Sequence, residues 1–271
     1  MLLRSMITAT NTMNQLQKQI DTIGHNMANL DTNGYKKTST SFQELVKQQL
    51  NNQPDKEKEI GRQTDFGIRQ GTGAKLSTKT VYEQGSIKRT DRELDIAFTK
   101  PNQFLQVDVN GEIRYTRDGA LYLSPMNDGT LMLVTSDGHP VVDENQHPIT
   151  FRDDVKGFSI SPNGTITAIP RKEGDEPQVA ELGVVQMNRP DLLVALGNNM
   201  YGFTQANPAY ITYLEGNART EINVQQGALE SSNVQLTTEM TDLLVAQRSY
   251  QMNAQSITIG DQMLGLINNV R

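Results

Sequence analysis

The chain of 271 residues contains no cysteine and no tryptophan. The first absence removes disulfides, thiol nucleophiles and thiolate metal sites together. The second removes the largest aromatic platform for stacking on a sugar ring, and aromatic residues of all kinds reach only 6%. A basic surplus is also missing: 25 lysines and arginines stand against 31 acidic residues, a formal charge of -6. No lysine/arginine block occurs, so no nucleic-acid partner is expected. The longest unbroken apolar run, Leu192–Leu196, is far short of the roughly 20 residues that cross a bilayer, so no membrane insertion is expected. Arg4 could stand for a basic n-region, but "SMITATNTMNQ" after it is too polar for an h-region, and a Sec signal peptide is not expected. Apolar residues amount to 36%, below the usual ~45–50%. Part of the surface is therefore expected to remain solvated or to await a partner.

What is present sits first at the two ends. Met6, Ala9, Met13, Leu16, Ile20, Ile23, Met27 and Leu30 are spaced alternately three and four apart, which predicts a helix with a coiled-coil-like heptad seam. Leu236, Met240, Leu243, Gln247, Tyr250, Ala254, Ile257, Asp261 and Leu264 alternate four and three, with Gln247 and Asp261 breaking the stripe. Ser232 with Gln235 reads as a capping box, opening a helix of about 35 residues and about 50 Å.

Between the ends, Asn110-Gly111, Asp118-Gly119, Asp128-Gly129, Asp137-Gly138 and Asn163-Gly164 read as tight hairpin turns, and "EIRYT", "ALYLS" and "TLMLVT" as strands. Gln48–Lys75 has too few large apolar residues for a core and reads as an extended connector. The expected fold is α+β, with terminal helices flanking a mainly antiparallel β domain. Its parts are residues 1–40 (helix and turn), 41–79 (connector), 80–215 (β domain) and 216–271 (connector and helix).

These residues resemble the bacterial flagellar basal-body rod and hook proteins. Ile23, Asn26, Met27, Ala28, Asn29, Leu30, Thr32, Gly34, Tyr35 and Lys36 stand where that family's N-terminal signature would put them, with Asn33 where proline is frequent. Gly227–Leu264 is similar to the closing signature, through Leu229, Glu230, Ser232, Asn233, Val234, Glu239, Met240, Gln247, Arg248, Tyr250, Asn253 and Asp261. Tyr115–Leu121 ("YTRDGAL") is similar to a segment of the family's β domain. Length and the C-terminal signature look most like the distal-rod branch.

The resemblance implies a structural subunit with no cofactor and no catalytic residue. Its partners would be its own copies and other rod or hook proteins, with the terminal helices forming the inner layer of a tube. It also implies passage through the flagellar type III export apparatus and a place in the basal body outside the cytoplasmic membrane, where peptidoglycan and envelope rings are within reach. The expected assembly interface is Met6, Met13, Leu16, Ile20, Ile23, Asn26, Met27, Asn29 and Leu30 with Leu236, Met240, Leu243, Gln247, Tyr250, Ala254, Ile257, Asp261 and Leu264. Such seams either pack the two helices within one subunit or join subunits, and the resemblance favours the second.

Other readings are weaker. Lys36 and Lys37 read as a solvated pair after the turn. His139 and His147, near Asp137, Asp143 and Glu144, match no metal motif, and the Gly71–Gly73 "GTG" lacks the lysine of a phosphate loop. Carboxylates such as Asp108, Glu112, Asp118, Asp128, Asp153 and Asp154 could supply a glycosidase pair, but Asp118 and Asp128 precede glycine and read as turn residues. A hook-type subunit and a secreted coiled-coil adhesin complete the alternatives.

Overall fold

The computed structural model describes residues 2–44, 47–51, 67–71, 74–172, 174–203 and 208–269. The chain divides into a helical unit, Met1–Met27 with Thr38–Lys79 and Leu236–Arg271, and a β-rich unit, Ala28–Lys37 with Thr80–Gln235. It passes from one unit to the other four times.

The helical unit holds α1 (Leu2–Ala28) and α2 (Leu236–Asn269) with four strands, β1 (Thr38–Glu44), β2 (Lys47–Asn51), β3 (Gly67–Gly71) and β4 (Ala74–Thr80). Threonine and serine inside the helices return their hydroxyls to the carbonyl one turn back: Thr10 to Met6, Thr22 to Lys18, Ser256 to Met252. That local bond lets polar residues sit mid-helix. The helix does not open at Ser232. Ser232 Oγ accepts from the Val234 N–H at 3.3 Å, and α2 begins only at Leu236. The physical reason is competition, since Ser231 N–H donates to Ser86 and Asn233 N–H to Tyr35, which holds this stretch out of the helix.

β1 pairs with β4, and β2 pairs antiparallel with β3 from Lys47↔Gly71 to Asn51↔Gly67. The connector expected over Gln48–Lys75 lies outside the described residues at 52–66 and 72–73. Its described ends pair with each other instead of running singly. A backbone ladder satisfies N–H and C=O groups without large apolar side chains, which is how so polar a stretch acquires strands.

The β-rich unit contains β5 (Ile87–Arg89), β6 (Ile96–Phe98), β7 (Gln103–Val109), β8 (Glu112–Thr116), β9 (Leu121–Pro125), β10 (Thr130–Thr135), β11 (Thr150–Arg152), β12 (Val155–Ile160), β13 (Thr165–Pro170), β14 (Gln178–Glu181), β15 (Val184–Met187), β16 (Leu193–Gly197), β17 (Met200–Phe203), β18 (Ile211–Tyr213), β19 (Val224–Gln226) and β20 (Ala228–Glu230). Six of them form one antiparallel sheet in the order β16-β17-β8-β7-β15-β18. Two three-stranded sheets, β11-β10-β9 and β12-β13-β14, and the pairs β19-β6 and β20-β5 complete the unit.

Asn110 and Gly111, at φ 57° and 86°, make the two-residue turn that joins β7 to β8 with Val109 opposite Glu112. Asp118-Gly119, expected to be another hairpin, is not one. A Cβ on Gly119 would lie 1.8 Å from the Ile96 carbonyl oxygen, and the Ile96 N–H donates to Gly119. Glycine is needed there for backbone contact rather than for a turn. β7 is buried on both faces: Leu105, Val107 and Val109 enter a core with Phe98, Leu121, Leu133 and Ile166, while Phe104 enters a second with Tyr115, Val185, Met187 and Tyr201. The α+β layout, terminal helices flanking a mostly antiparallel β region, is as expected.

Candidate assembly surfaces

Within the helical unit α1 and α2 run antiparallel. Asn26, near the end of α1, donates through Nδ2 to Glu239 Oε2, near the start of α2, at 3.1 Å. At the other end a Cβ on Gly260 would meet the Met6 side chain at 3.1 Å. On α1, Ala9, Leu16 and Ile23 are buried, and Met6, Met13, Ile20 and Met27 are half-buried. All the expected α1 seam positions in this unit are therefore shielded within a single chain.

α2 is divided differently. Its shielded residues are Glu239, Leu243, Ala246, Tyr250, Asn253, Ile257, Gly260 and Leu264, again four and three apart, with Ser249 and Ala254 half-buried at the margins. The larger side chains alternate with Ala246, Asn253 and Gly260, which present little bulk. Leu236, Met240, Gln247 and Asp261 are exposed. The two polar interruptions of the expected stripe thus face outward, because the seam turns through Ala246 and Gly260 rather than through Gln247 and Asp261.

A further set of α2 side chains has no shield among the described residues. Val245, Met252, Ile259 and Leu266 recur every seventh residue and are 58%, 68%, 55% and 66% exposed. On α1, from Met6 onward, Ile7 is the one large apolar side chain among the exposed group. α2 is therefore a two-sided helix and α1 a one-sided one. Sequence reasoning that looked for a single stripe passed over the second, although its seven-residue spacing is visible in the sequence.

The asparagines of the N-terminal signature act inside the chain. Asn26 is 2% exposed; its Oδ1 accepts the Thr38 N–H at 3.0 Å and its Nδ2 donates to the Thr38 carbonyl at 2.9 Å, closing both backbone groups of one residue. Asn29 and Leu30 belong to the β-rich unit and are half-buried, and Asn29 Oδ1 accepts the Thr32 hydroxyl.

Lys36 overturns its expected solvation. Its Nζ lies 2.6 Å from Glu230 Oε1, and neither side chain is more than 1% exposed. Arg117 Nε donates to the other Glu230 oxygen at 2.7 Å, and its Nη1 donates to the Gln103 carbonyl at 2.8 Å. Two cations thus share one buried carboxylate, and the Glu83 carbonyl also accepts from Lys36 Nζ at 2.8 Å. Burial, and then the Arg117 charge, pull the Lys36 ammonium down to about 8 against the opposing pull of Glu230. Asn233 laces the same place: its Oδ1 accepts the Lys37 N–H, and its Nδ2 donates to the carbonyls of Val81 and Glu83. Gly34, at φ 68°, lies so close that a Cβ there would stand 2.6 Å from the Arg117 carbonyl carbon. Lys36, Arg117 and Glu230 come from the three motifs that carry the family resemblance, but only Lys36 carries an expectation, that of a solvated lysine, and the structure overturns it.

Three of the other acids serve local turns. Asp118 Oδ1 accepts the Ala120 N–H, Asp128 Oδ1 the Thr130 N–H, and Asp143 Oδ1 the N–H groups of Asn145 and His147. Burial raises the Asp118 carboxyl. Among the described residues no group of histidine and carboxylate side chains is placed to hold a metal ion, and no helix is long and apolar enough to cross a membrane.

Three segments match families. Residues 6–36 match the flagella basal body rod protein family, residues 100–168 the D1 domain of the flagellar hook protein FlgE/F/G family, and residues 225–270 the C-terminal region of the flagellar basal body rod FlgEFG proteins. Over its whole length the chain is 50% identical to the flagellar hook-basal body complex protein FlhP of Bacillus subtilis (strain 168), also covered in full. It is 32% identical to the flagellar basal-body rod protein FlgG of the same organism, with both chains covered completely. It is 31% identical to FlgG of Borreliella burgdorferi, covering 100% of this chain and 99% of that one. With full-length relatives of this similarity and three matching segments in the same order, the chain belongs to the flagellar basal-body rod and hook protein family and is a structural subunit rather than an enzyme.

Proposed function

We propose that this subunit builds a section of the flagellar rod, in the distal part, by packing its α1–α2 pair against the helices of neighbouring copies and of other rod or hook proteins. The observation that carries the reading is the exposed heptad of Val245, Met252, Ile259 and Leu266 on α2. Four large apolar side chains in one row, on a helix whose opposite side is already occupied, are favourable only when another surface covers them. In this reading the helices wall a channel, the assembled subunits carry torque, and no bond is made or broken. The subunit reaches its place through the flagellar export apparatus and lies outside the cytoplasmic membrane, where envelope rings and peptidoglycan are its surroundings. The full-length likeness to FlgG proteins supports the rod position, and the likeness to FlhP supports a place in the hook-basal body complex.

The test replaces two members of the row by charge, Met252→Asp with Ile259→Asp. Both are exposed, so the isolated chain is expected to keep its circular dichroism while cells carrying it lose swimming. Cells that swim normally would sink the reading. Electron microscopy of labelled basal bodies then locates the subunit, and label confined to the hook would replace the rod assignment by the hook-type one.

A further inference from the structure

From Leu192 to Leu214 the chain runs twenty-three residues without a charged side chain, although 21% of all residues are charged. That stretch contains β16, β17 and β18, and β16 and β18 are the two outer strands of the six-stranded sheet. Among the described residues no strand pairs with the free side of either. Val194 and Leu196 on β16 are 43% and 48% exposed, and Leu192 and Tyr213 stand open beside the two edges.

A row of unpaired N–H and C=O groups flanked by apolar side chains is a template for another strand, and free-standing proteins guard such edges with charge or proline. The two three-stranded sheets of this unit guard their outer strands. β11 ends on Arg152 and is followed by Asp153 and Asp154, β12 carries Lys156, β14 ends on Glu181, and β9 ends on Pro125. The six-stranded sheet, by contrast, has no charge and no proline within either of its outer strands, β16 and β18.

The two edges also fit each other. The bulge at Leu196 leaves Leu193, Val194 and Ala195 in regular register with Phe203, Gly202 and Tyr201, and β18 is three residues long. Because all six strands are antiparallel to their neighbours, β16 and β18 run in opposite directions. A translated copy therefore brings β16 antiparallel to β18. We propose that the free edge of β16 in one copy pairs with the free edge of β18 in the next, continuing the sheet from subunit to subunit. Such a contact is head-to-tail, so it repeats along an array instead of closing into a dimer. It rests on the reading that copies of this chain assemble, and it adds a second surface to the helical one.

Leu193 and Ile211 both enter the aromatic core of the sheet, so Val194 and Thr212 face its other side, and both are exposed. The chain has no cysteine, so a double variant, Val194→Cys with Thr212→Cys, reports this contact alone. After oxidation of cells that carry it, a non-reducing gel is expected to show a ladder of dimer, trimer and tetramer. Each single variant should stay monomeric, and the two single variants expressed together should stop at dimer. Absence of a ladder, whether the cells swim or not, overturns the proposal, since cysteine is close in size to both residues. Dimers from Val194→Cys alone overturn it too, in favour of a β16–β16 contact. A second variant, Val194→Lys with Leu196→Lys, is expected to abolish swimming while the isolated chain stays folded, and retained swimming counts against the edge. The two readings fail separately: the helical one falls if the Met252/Ile259 variant swims, this one if the cysteine pair gives no ladder.

Discussion

The two units invert the usual distribution of side chains in opposite ways. The helical unit turns Val245, Met252, Ile259 and Leu266 outward, whereas the β-rich unit encloses Lys36, Arg117 and Glu230. Exposed apolar surface costs the lone chain little to keep and becomes useful on assembly. An enclosed charge is tolerable only while its partners stay in place. The exposed row of the helical unit is left for another surface to cover, while the charges of the β-rich unit are already matched within their own chain. Substitutions should therefore weaken the isolated chain severely at the enclosed charges and hardly at all along the outer row.

The largest effect is expected at Glu230→Ala. Removing the carboxylate leaves Lys36 and Arg117 buried without a counter-charge, a loss of about 3–5 kcal/mol. Urea unfolding followed by tyrosine fluorescence measures it, and a loss below 1 kcal/mol would mean that water reaches the cluster. Adding Lys36→Met and Arg117→Met to the same chain should return part of the stability, because a fully apolar replacement no longer strands a charge.

Next comes the pH dependence that the same cluster imposes. The folded chain gives up the Lys36 proton near pH 8, while the unfolded chain keeps it to about 10.4. Between those values the unfolded state holds more Lys36 protons, so the Lys36 contribution to stability rises with pH, by about 2 kcal/mol from pH 8 to 10. Above pH 10 the sign reverses. Burial pushes the Tyr82 hydroxyl up to about 12 and raises Tyr115 and Tyr201 as well, so the unfolded chain loses tyrosine protons that the folded one retains. Stability should therefore peak near pH 10, and Lys36→Met should remove the rise and leave the fall.

A smaller loss, about 1–2 kcal/mol, is expected from Leu243→Ala. The position is half-buried on the α1–α2 seam, so only part of a core substitution's cost applies. Thermal unfolding followed at 222 nm would show it, and a neutral result would mean that α2 is not held by α1 in the lone chain.

Much of this was legible from residue order. The alternating three and four of α1 needed only spacing, and Asn110-Gly111 needed only its turn preference, because both are local properties of the backbone. The α2 seam was half legible. Leu243, Tyr250, Ile257 and Leu264 stand on it, but Ala246, Asn253 and Gly260 fill the other half, and small or polar residues give no hydrophobic signal. Lys36 was misread for a different reason. Its burial depends on Arg117 and Glu230, and Glu230 lies 194 positions away, so nothing near Lys36 in the chain distinguishes a buried lysine from a solvated one. The edges of the six-stranded sheet follow from strand order, which residue spacing does not determine.

The smallest effect on the lone chain is expected in the outer row of α2. Met252→Gln changes one of the most exposed apolar side chains of α2 to a polar one of similar length and similar helix propensity. The isolated chain should therefore unfold within about 0.5 kcal/mol of the original, as ordinary surface substitutions do. Assembly should respond differently: at equal protein concentration the variant should form fewer or shorter polymers, because an amide must lose its water when a neighbouring helix covers it. A chain weakened by more than 1 kcal/mol would show that Met252 already packs within its own subunit. An unchanged chain with unchanged assembly would show that no neighbour covers it.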